Sequence, residues 1–394
     1  MEKLLISGIN TRPMINSGLK LDYDIYSTSY YSTYDFNEIK NEKYLLNQQK
    51  NKSCGYLETN YTKDKLLKLS KDYLEEVDYI IPVSGLDYSD FSGEFKKFRK
   101  KIIGNKKIEN INNKFNFFNK IKNKYLVPET FKVNNVDELI EILKNSEDKQ
   151  YIVKPLKGFG GVGVNFLNKE KTNQLNDMEI EWLIQEYIDG NNISSSTLST
   201  KNNSKTIINS RNLNENDYNK EKNFIYNGNI LPLDKNTLKR ESSDKIIKEM
   251  SEISEDIVKE FNLIGSNGVD YIVDNQDQIY LLEINPRFQG TYECCEKVLK
   301  INMLDAHLKA FNGELININD PEGYCIKKII YSQNKVKVNN LSKYKNIYDT
   351  PYPEVIIEKD EPIATILHNN KNLKTLYNNL KISSNRLKMN THQI

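Results

Sequence analysis

The 394-residue sequence predicts an α/β chain. Three observations carry that expectation. Short β-rich runs alternate with helical ones over residues 1 to 105. SSDKIIKEMSEISEDIVKEFNLIG keeps a helical apolar period. GVDYIVDNQDQIYLLEINPR reads as a hairpin of two strands.

The first run, LLISG, is a strand closed by turn residues, followed by a loop, a short helix and a second strand near DIYSTS. VDYIIPVSG, 77 to 85, is another buried-type strand, so the opening stretch predicts a small parallel sheet. NNKFNFFNKIKNKY places Phe117, Phe118, Ile121 and Tyr125 at helical spacing, and Pro128 ends that helix. VDELIEILKNS is an amphipathic helix. YIVKP and VGVNFLN are strands flanking a glycine cluster, and EWLIQEYI is a third. Residues 200 to 240 are Asn-rich and read as short strands with mobile turns. In the long helix Ile246, Met250, Ile253, Ile257 and Phe261 share one face; Ser242, Ser243 or Asp244 caps its start and Gly265 its end. A further helix covers 298 to 312. The tail holds two strand-like runs, YCIKKIIYSQNKVKV and EPIATILH, before a helical NLKTLYNNL.

Hydrophobic residues make up 38% of the chain and charged residues 28%, with 56 Lys+Arg against 54 Asp+Glu. That near-balance gives no ground for a nucleic-acid or membrane partner. The opening MEKLLISGIN is too short for a signal or a span, and no later run approaches the roughly 18 apolar residues of a membrane helix. The four cysteines lack metal-ligand spacing, and Cys294 and Cys295 are adjacent, so reduced thiols of a cytoplasmic protein are expected. The three scattered histidines speak against a His-based triad or zinc site.

GFGGVG satisfies the letters of the dinucleotide fingerprint, but that motif needs a helix after its glycines. Here Val162, Val164 and Phe166 alternate as a strand does, and no Gly-Lys-Ser/Thr closes the loop as a P-loop would. Strand, glycine loop, strand is a different phosphate device, in which bare backbone N–H groups fold over an anion. Lys154 lies in an apolar strand just ahead of it, and an anion is the usual reason for such a lysine. The hairpin supplies a second constellation. Glu283, Asn285 and Arg287 alternate onto one strand face, and Asp270 joins them if the loop is even in length, as with Asn275-Gln276 for a turn. Two carboxylates and an amide oxygen form a hard-oxygen set suited to Mg2+, and Arg287 adds a planar cation for phosphoryl oxygens.

YIVKPLKGFGGVGV, WLIQEYIDG and GVDYIV…IYLLEINPRFQGT together resemble the ATP-grasp superfamily. ISGINTRPMINSGLKLDYDIYSTSYYSTYDF and LLEINPRFQGTYECCE are similar to an archaeal carboligase-like group related to biotin carboxylase. The resemblance implies a Rossmann-like pre-ATP-grasp domain over 1–108. It implies an ATP-grasp fold over 109–318, with a lid subdomain at about 128–188, and a small mixed C-terminal subdomain over 319–394. It implies nucleotide contacts from Lys114 and Lys154, a phosphate-covering loop at Gly158, Gly160, Gly161 and Gly163, and adenine contacts along Gln185, Glu186, Tyr187 and Ile188. Asp270, Glu283 and Asn285 match the magnesium ligands; Arg287 and Lys154 take the catalytic roles. Gly190 is followed by Asn191 and Asn192 where many relatives carry an acid, and residues 323 to 340 hold no arginine. The activity implied is an ATP- and Mg2+-dependent ligase, with Mn2+ as a substitute. It activates a carboxylate as an acyl phosphate and joins it to an amine or thiol. The alternatives are a bicarbonate-dependent carboxylase or carbamoyl-phosphate-type enzyme, and a non-catalytic ATP-binding sensor. The partners expected are small carboxylate and amine substrates, with a homodimer left open. Asn10, Thr11 and Arg12, after the first strand, are the candidates for holding a substrate carboxylate.

Overall fold

A computed structural model describes residues 1–36, 39–55, 61–144, 149–156, 161, 163–167, 181–213 and 224–394. The first sheet contains β1 (Glu2–Gly8), β2 (Tyr23–Tyr31), β3 (Asn41–Leu46) and β4 (Tyr79–Pro82), all parallel, in the order β3-β2-β1-β4. Leu4, Leu5 and Ile6 of β1 are wholly buried, as expected of a strand covered on both faces. Leu4 and Ile6 join the core shared with the rest of the molecule, while Leu5 packs on the other side with Leu67, Leu74 and Phe91.

A second sheet, of order β5-β8-β6-β7, contains β5 (Thr130–Val133), β6 (Tyr151–Pro155), β7 (Asn165–Phe166) and β8 (Trp182–Glu186). The remaining strands are β9 (Gly190–Ser199), β10 (Ser204–Asn212), β11 (Gly228–Leu231), β12 (Gly265–Asp274), β13 (Ile279–Asn285), β14 (Tyr324–Tyr331), β15 (Val336–Val338), β16 (Ile347–Tyr348), β17 (Ile356–Ile357), β18 (Pro362–Asn370) and β19 (Thr391–Gln393). Eight of them form an antiparallel sheet of order β13-β12-β9-β10-β11-β14-β18-β16, and β17-β15-β19 form a small fourth sheet. The helix Ser243–Glu260 lays Ile246, Met250 and Ile257 against one face of the large sheet, in a core with Val269, Tyr271 and Val273. No helix among the described residues is long and apolar enough to cross a membrane.

Two helix ends differ from the sequence reading. The long helix stops at Glu260, and Asn262 takes the left-handed turn (φ 53°); Gly265 already opens β12. The helix expected over 298–312 is two, Tyr292–Leu299 and Met303–Phe311, because Lys300 turns left-handed (φ 56°) and Asn302 caps the second.

One buried side chain ties the first sheet's exit to the large sheet. Asn105 Nδ2 donates to Asn267 Oδ1 at 2.8 Å and to the Pro286 carbonyl at 3.0 Å, while its Oδ1 accepts from the Ile264 N–H at 2.8 Å. Every hydrogen on that amide nitrogen is thereby satisfied, and the carbonyl just before Arg287 is fixed in place.

Candidate active site

The hairpin of β12 and β13 brings the acids together by a route the sequence reading does not give. Val273 pairs with Ile279, and the Asp274 N–H donates to the Gln278 carbonyl, so the loop is the odd-length Asn275–Asp277 with Asp277 left-handed. That parity alone would set Asp270 opposite Leu282. A bulge between Asp270 and Tyr271 in the pairing shifts the register by one, and Asp270 faces Glu283.

Asn285 Nδ2 donates to Asp270 Oδ2 at 2.7 Å and to Glu283 Oε1 at 3.3 Å, and Ser194 Oγ donates to Asp270 Oδ1 at 2.5 Å. Burial, and then the neighbouring Glu283 charge, push Asp270 up to about 7. Burial would raise Glu283 as well, but Lys114, Lys154 and Arg287 outweigh it and hold that carboxyl down at about 2. Lys114, at the start of the helix Lys114–Ile121, sits with its Nζ 2.7 Å from Glu283 Oε2.

Lys154 is 7% exposed and reaches from β6 to Gln185 Oε1 at 2.7 Å, while Gln185 Nε2 donates to Thr130 Oγ1 at 2.8 Å. Its Nζ also lies 5.3 Å from the centroid of the Phe118 ring. No carboxylate among the described residues ion-pairs with it. Burial, and then the Lys114 charge, depress its pKa well below the usual lysine range. Two ammonium groups and one guanidinium thus face two carboxylates and an amide. Arg287 is half-buried, its backbone N–H bonded to the Asn285 carbonyl at 2.8 Å. Burial lowers its pKa, against the opposing pull of Glu283, Asp270 and Asp87.

The donor set fits a hard cation. Asp270 and Glu283 are two like charges held together by one amide nitrogen, and turning Asn285 about its amide presents a third oxygen. Among the described residues no group of three His, Cys, Asp or Glu side chains gathers, so the described candidates for holding the cation are these two carboxylates and the amide.

The hinge residues span the end of β8, Gln185 and Glu186, and the two positions after it, Tyr187 and Ile188. The N–H groups of Glu186 and Tyr187 already donate to the carbonyls of Glu129 and Gln150, at 2.8 and 2.7 Å. Those two N–H groups are thereby engaged within the fold, and the carbonyls of this stretch and the Ile188 backbone are the groups left to meet a base. Gly158 and Gly160 lie outside the described residues. Gly161 and Gly163 both have φ 78°, and a Cβ on Gly161 would meet the Phe224 carbonyl oxygen at 1.7 Å, so no other residue fits there.

Asn10, Thr11 and Arg12 do not form an open carboxylate receptor, which corrects the sequence expectation. Arg12 is 3% exposed; it donates to Glu293 through Nη1 at 2.8 Å and Nη2 at 3.2 Å, and to Asp349 through Nε at 2.6 Å. Lys327 adds a second cation to Glu293 at 2.8 Å. Asn10 Nδ2 donates to Asp349 Oδ1 at 3.0 Å, and Thr11 Oγ1 meets Ser27 Oγ at 2.8 Å. A further carboxylate brought to Arg12 would be repelled by the two already there. The cluster joins the first sheet's loop, the helix Tyr292–Leu299, β14 and the segment after β16.

The family model for the ATP-grasp domain matches residues 111–291. An uncharacterised protein of Methanocaldococcus jannaschii is 32% identical over 387 residues, which span 96% of this chain and 91% of that one. Biotin carboxylase of Campylobacter jejuni, in a β,γ-ATP complex, superposes with a TM-score of 0.73 at 13% identity, covering 97% of this chain and 90% of that one. N5-carboxyaminoimidazole synthetase of Staphylococcus aureus superposes with a TM-score of 0.68 at 13% identity, covering 97% and 96%. The chain is an ATP-grasp protein, in one family with the Methanocaldococcus protein over nearly its whole length.

Proposed function

We propose that this chain is an ATP- and Mg2+-dependent ligase that activates a carboxylate as an acyl phosphate and joins it to an amine or thiol. The observation that carries the reading is the convergence of Lys114, Lys154 and Arg287 on the Asp270–Glu283–Asn285 set, where the Ser194 hydroxyl has its proton committed to Asp270. Cys294 and Cys295 are fully buried, and burial pushes the Cys295 thiol up to about 12. His307 is buried too, and burial holds it down at about 4, so it stays neutral. On this reading a phosphoryl group transferred here goes to a bound acceptor.

On this reading 1–108 is the pre-ATP-grasp domain, 109–318 the ATP-grasp domain and 319–394 the C-terminal subdomain. Lys154 and Lys114 hold nucleotide phosphate oxygens, and Gly161 and Gly163 belong to the loop that covers them. Asp270, Glu283 and Asn285 hold Mg2+, which neutralises charge on the phosphate oxygens when bound. Arg287 forks toward the phosphoryl group in transit and stabilises its oxygens more as charge spreads over them. The protein positions and stabilises; the acid and the amine react with each other.

The reading is tested with hydroxylamine, a small amine that captures acyl phosphates as hydroxamates. A panel of carboxylic acids including bicarbonate, supplied with MgATP, is expected to contain an acid that gives ADP and hydroxamate in equal amounts. ATP binding with no ADP formed across the panel would favour the sensor, and ADP formation with bicarbonate alone the carboxylase. The same assay yields a prediction for Lys154→Met. The KM for ATP is expected to rise about tenfold to a hundredfold, as a charge-assisted phosphate contact is lost. The melting temperature is expected to hold or rise, because a buried ammonium without a carboxylate is replaced by an apolar side chain. A fall in stability together with an unchanged KM would contradict the phosphate role.

A further inference from the structure

A row of polar side chains leads away from the acids across one face of the large sheet. Directly paired residues of antiparallel strands share a face. Glu283 pairs with Asp270, Asp270 with Ser194, and Ser194 with Ser210. Two residues further along β10, Asn212 pairs with Asn229, and Asn229 with Lys327. Asn229 Nδ2 donates to Asn212 Oδ1 at 3.3 Å, and Lys327 ends the row on Glu293. From Asp270 to Lys327 the row crosses four strand spacings, about 19 Å.

Tyr226 stands over the middle of this row. Its hydroxyl donates to Asn229 Oδ1, and its backbone carbonyl accepts from Tyr331 Oη at 3.1 Å. On the other side runs the loop that follows Arg287. A Cβ on Gly290 would lie 2.4 Å from Tyr226 Oη, so the phenol reaches that loop only because position 290 has no side chain. Next in sequence, Asn227 is 3% exposed, and among the described residues neither polar atom of its side-chain amide has a partner. Buried amides left in this state mark a place where a polar ligand or water belongs.

The bonding sets a direction. A phenol carries one proton, and Asn229 Oδ1 takes it; the Asn229 amide nitrogen gives one of its two hydrogens to Asn212. Burial, with Cys294 and Asp270 adding to it, keeps the phenol protonated. The lone pairs of Tyr226 Oη are what it offers a ligand, and the ligand must donate. An amine does this well and a thiol poorly. We infer that Tyr226 is a specificity-determining contact of the nucleophile site, its phenol oxygen accepting a hydrogen bond from a substrate amine held between the Asn212–Asn229 row and the Arg287 loop. The inference rests on the ligase reading and narrows its nucleophile to an amine.

The test uses hydroxylamine as the amine, with an acid that supports hydroxamate formation. Tyr226→Phe removes one oxygen, and the KM for hydroxylamine is expected to rise about tenfold, while the KM for ATP stays within about twofold. Gly290→Ala keeps the phenol but pushes it aside, and is expected to give the same amine-selective rise; melting curves of both variants with MgATP establish that they are folded. An unchanged KM for hydroxylamine in Tyr226→Phe overturns the assignment, as does a KM for ATP that rises in step with it. The two readings fail separately: hydroxamate formation with no Tyr226 effect sinks this inference and spares the ligase. No hydroxamate from any acid sinks both.

Discussion

Arg287→Ala is expected to lower acid-dependent ADP release about a thousandfold or more while leaving the protein folded. The backbone on either side of Arg287 is fixed: Asn105 holds the Pro286 carbonyl, and the Arg287 N–H bonds back to Asn285. The guanidinium therefore starts from a rigid base. Among the described residues it ion-pairs with no carboxylate, and burial lowers its pKa, so it is held at a cost in the absence of a ligand. Removing it should leave the melting temperature nearly unchanged. On the proposed mechanism the loss belongs to the rate and not to nucleotide binding, because the fork would meet charge that develops as the phosphoryl group moves. Arg287→Lys keeps the charge but loses the planar fork, and is expected to recover only a small part of the rate. A variant lacking Arg287 that turns over at the wild-type rate would remove the residue from the mechanism. Glu283→Ala is expected to be as damaging, with the additional effect of freeing Lys114, its ion-pair partner.

Arg12→Met carries the largest expected stability loss, about 3–5 kcal/mol. It strands Glu293 and Asp349, whose side chains are 10% and 8% exposed, with Lys327 as the remaining cation on Glu293. Burial alone would raise the Glu293 pKa, but Arg12 and Lys327 hold it down at about 2, below its ordinary 4.5. A depressed carboxyl contributes stability that is present above its unfolded pKa and is lost as pH falls toward the folded one. Wild type should therefore lose this contribution between about pH 4.5 and pH 2. Urea unfolding at pH 7 and pH 3 is expected to show a large gap between wild type and Arg12→Met at pH 7 that narrows at pH 3. A gap of equal size at both would mean that Arg12 stabilises by packing and not by charge.

The candidate site residues were legible where a polar group interrupts an apolar strand. Lys154 stands out among Ile152, Val153 and Pro155, and Glu283, Asn285 and Arg287 follow Leu281 and Leu282. Alternation then puts the last three on one face. The position of Asp270 was legible only as a condition, because a bulge is a backbone event with no residue type of its own. The partners of Arg12 lie 281 and 337 residues away, so no local pattern distinguishes a loop arginine meeting substrate from one closing a buried ion cluster. The run Ser194–Thr200 is almost wholly buried, yet its small hydroxyl residues give the strand no apolar alternation to read. Tyr226 sits in an Asn-rich stretch that reads as mobile turns; only its bond to Asn229 and the bare Gly290 give it a role.

The central claim is that the γ-phosphoryl group passes to a carboxylate held beside Asp270, Glu283 and Arg287. The most direct measurement supplies the acid with its carboxylate oxygens labelled with 18O, together with MgATP and hydroxylamine, and reads the mass of the phosphate released. Transfer through an acyl phosphate predicts one 18O in each phosphate, carried over from the carboxylate. Phosphate without label, with both oxygens retained by the acid, would contradict it.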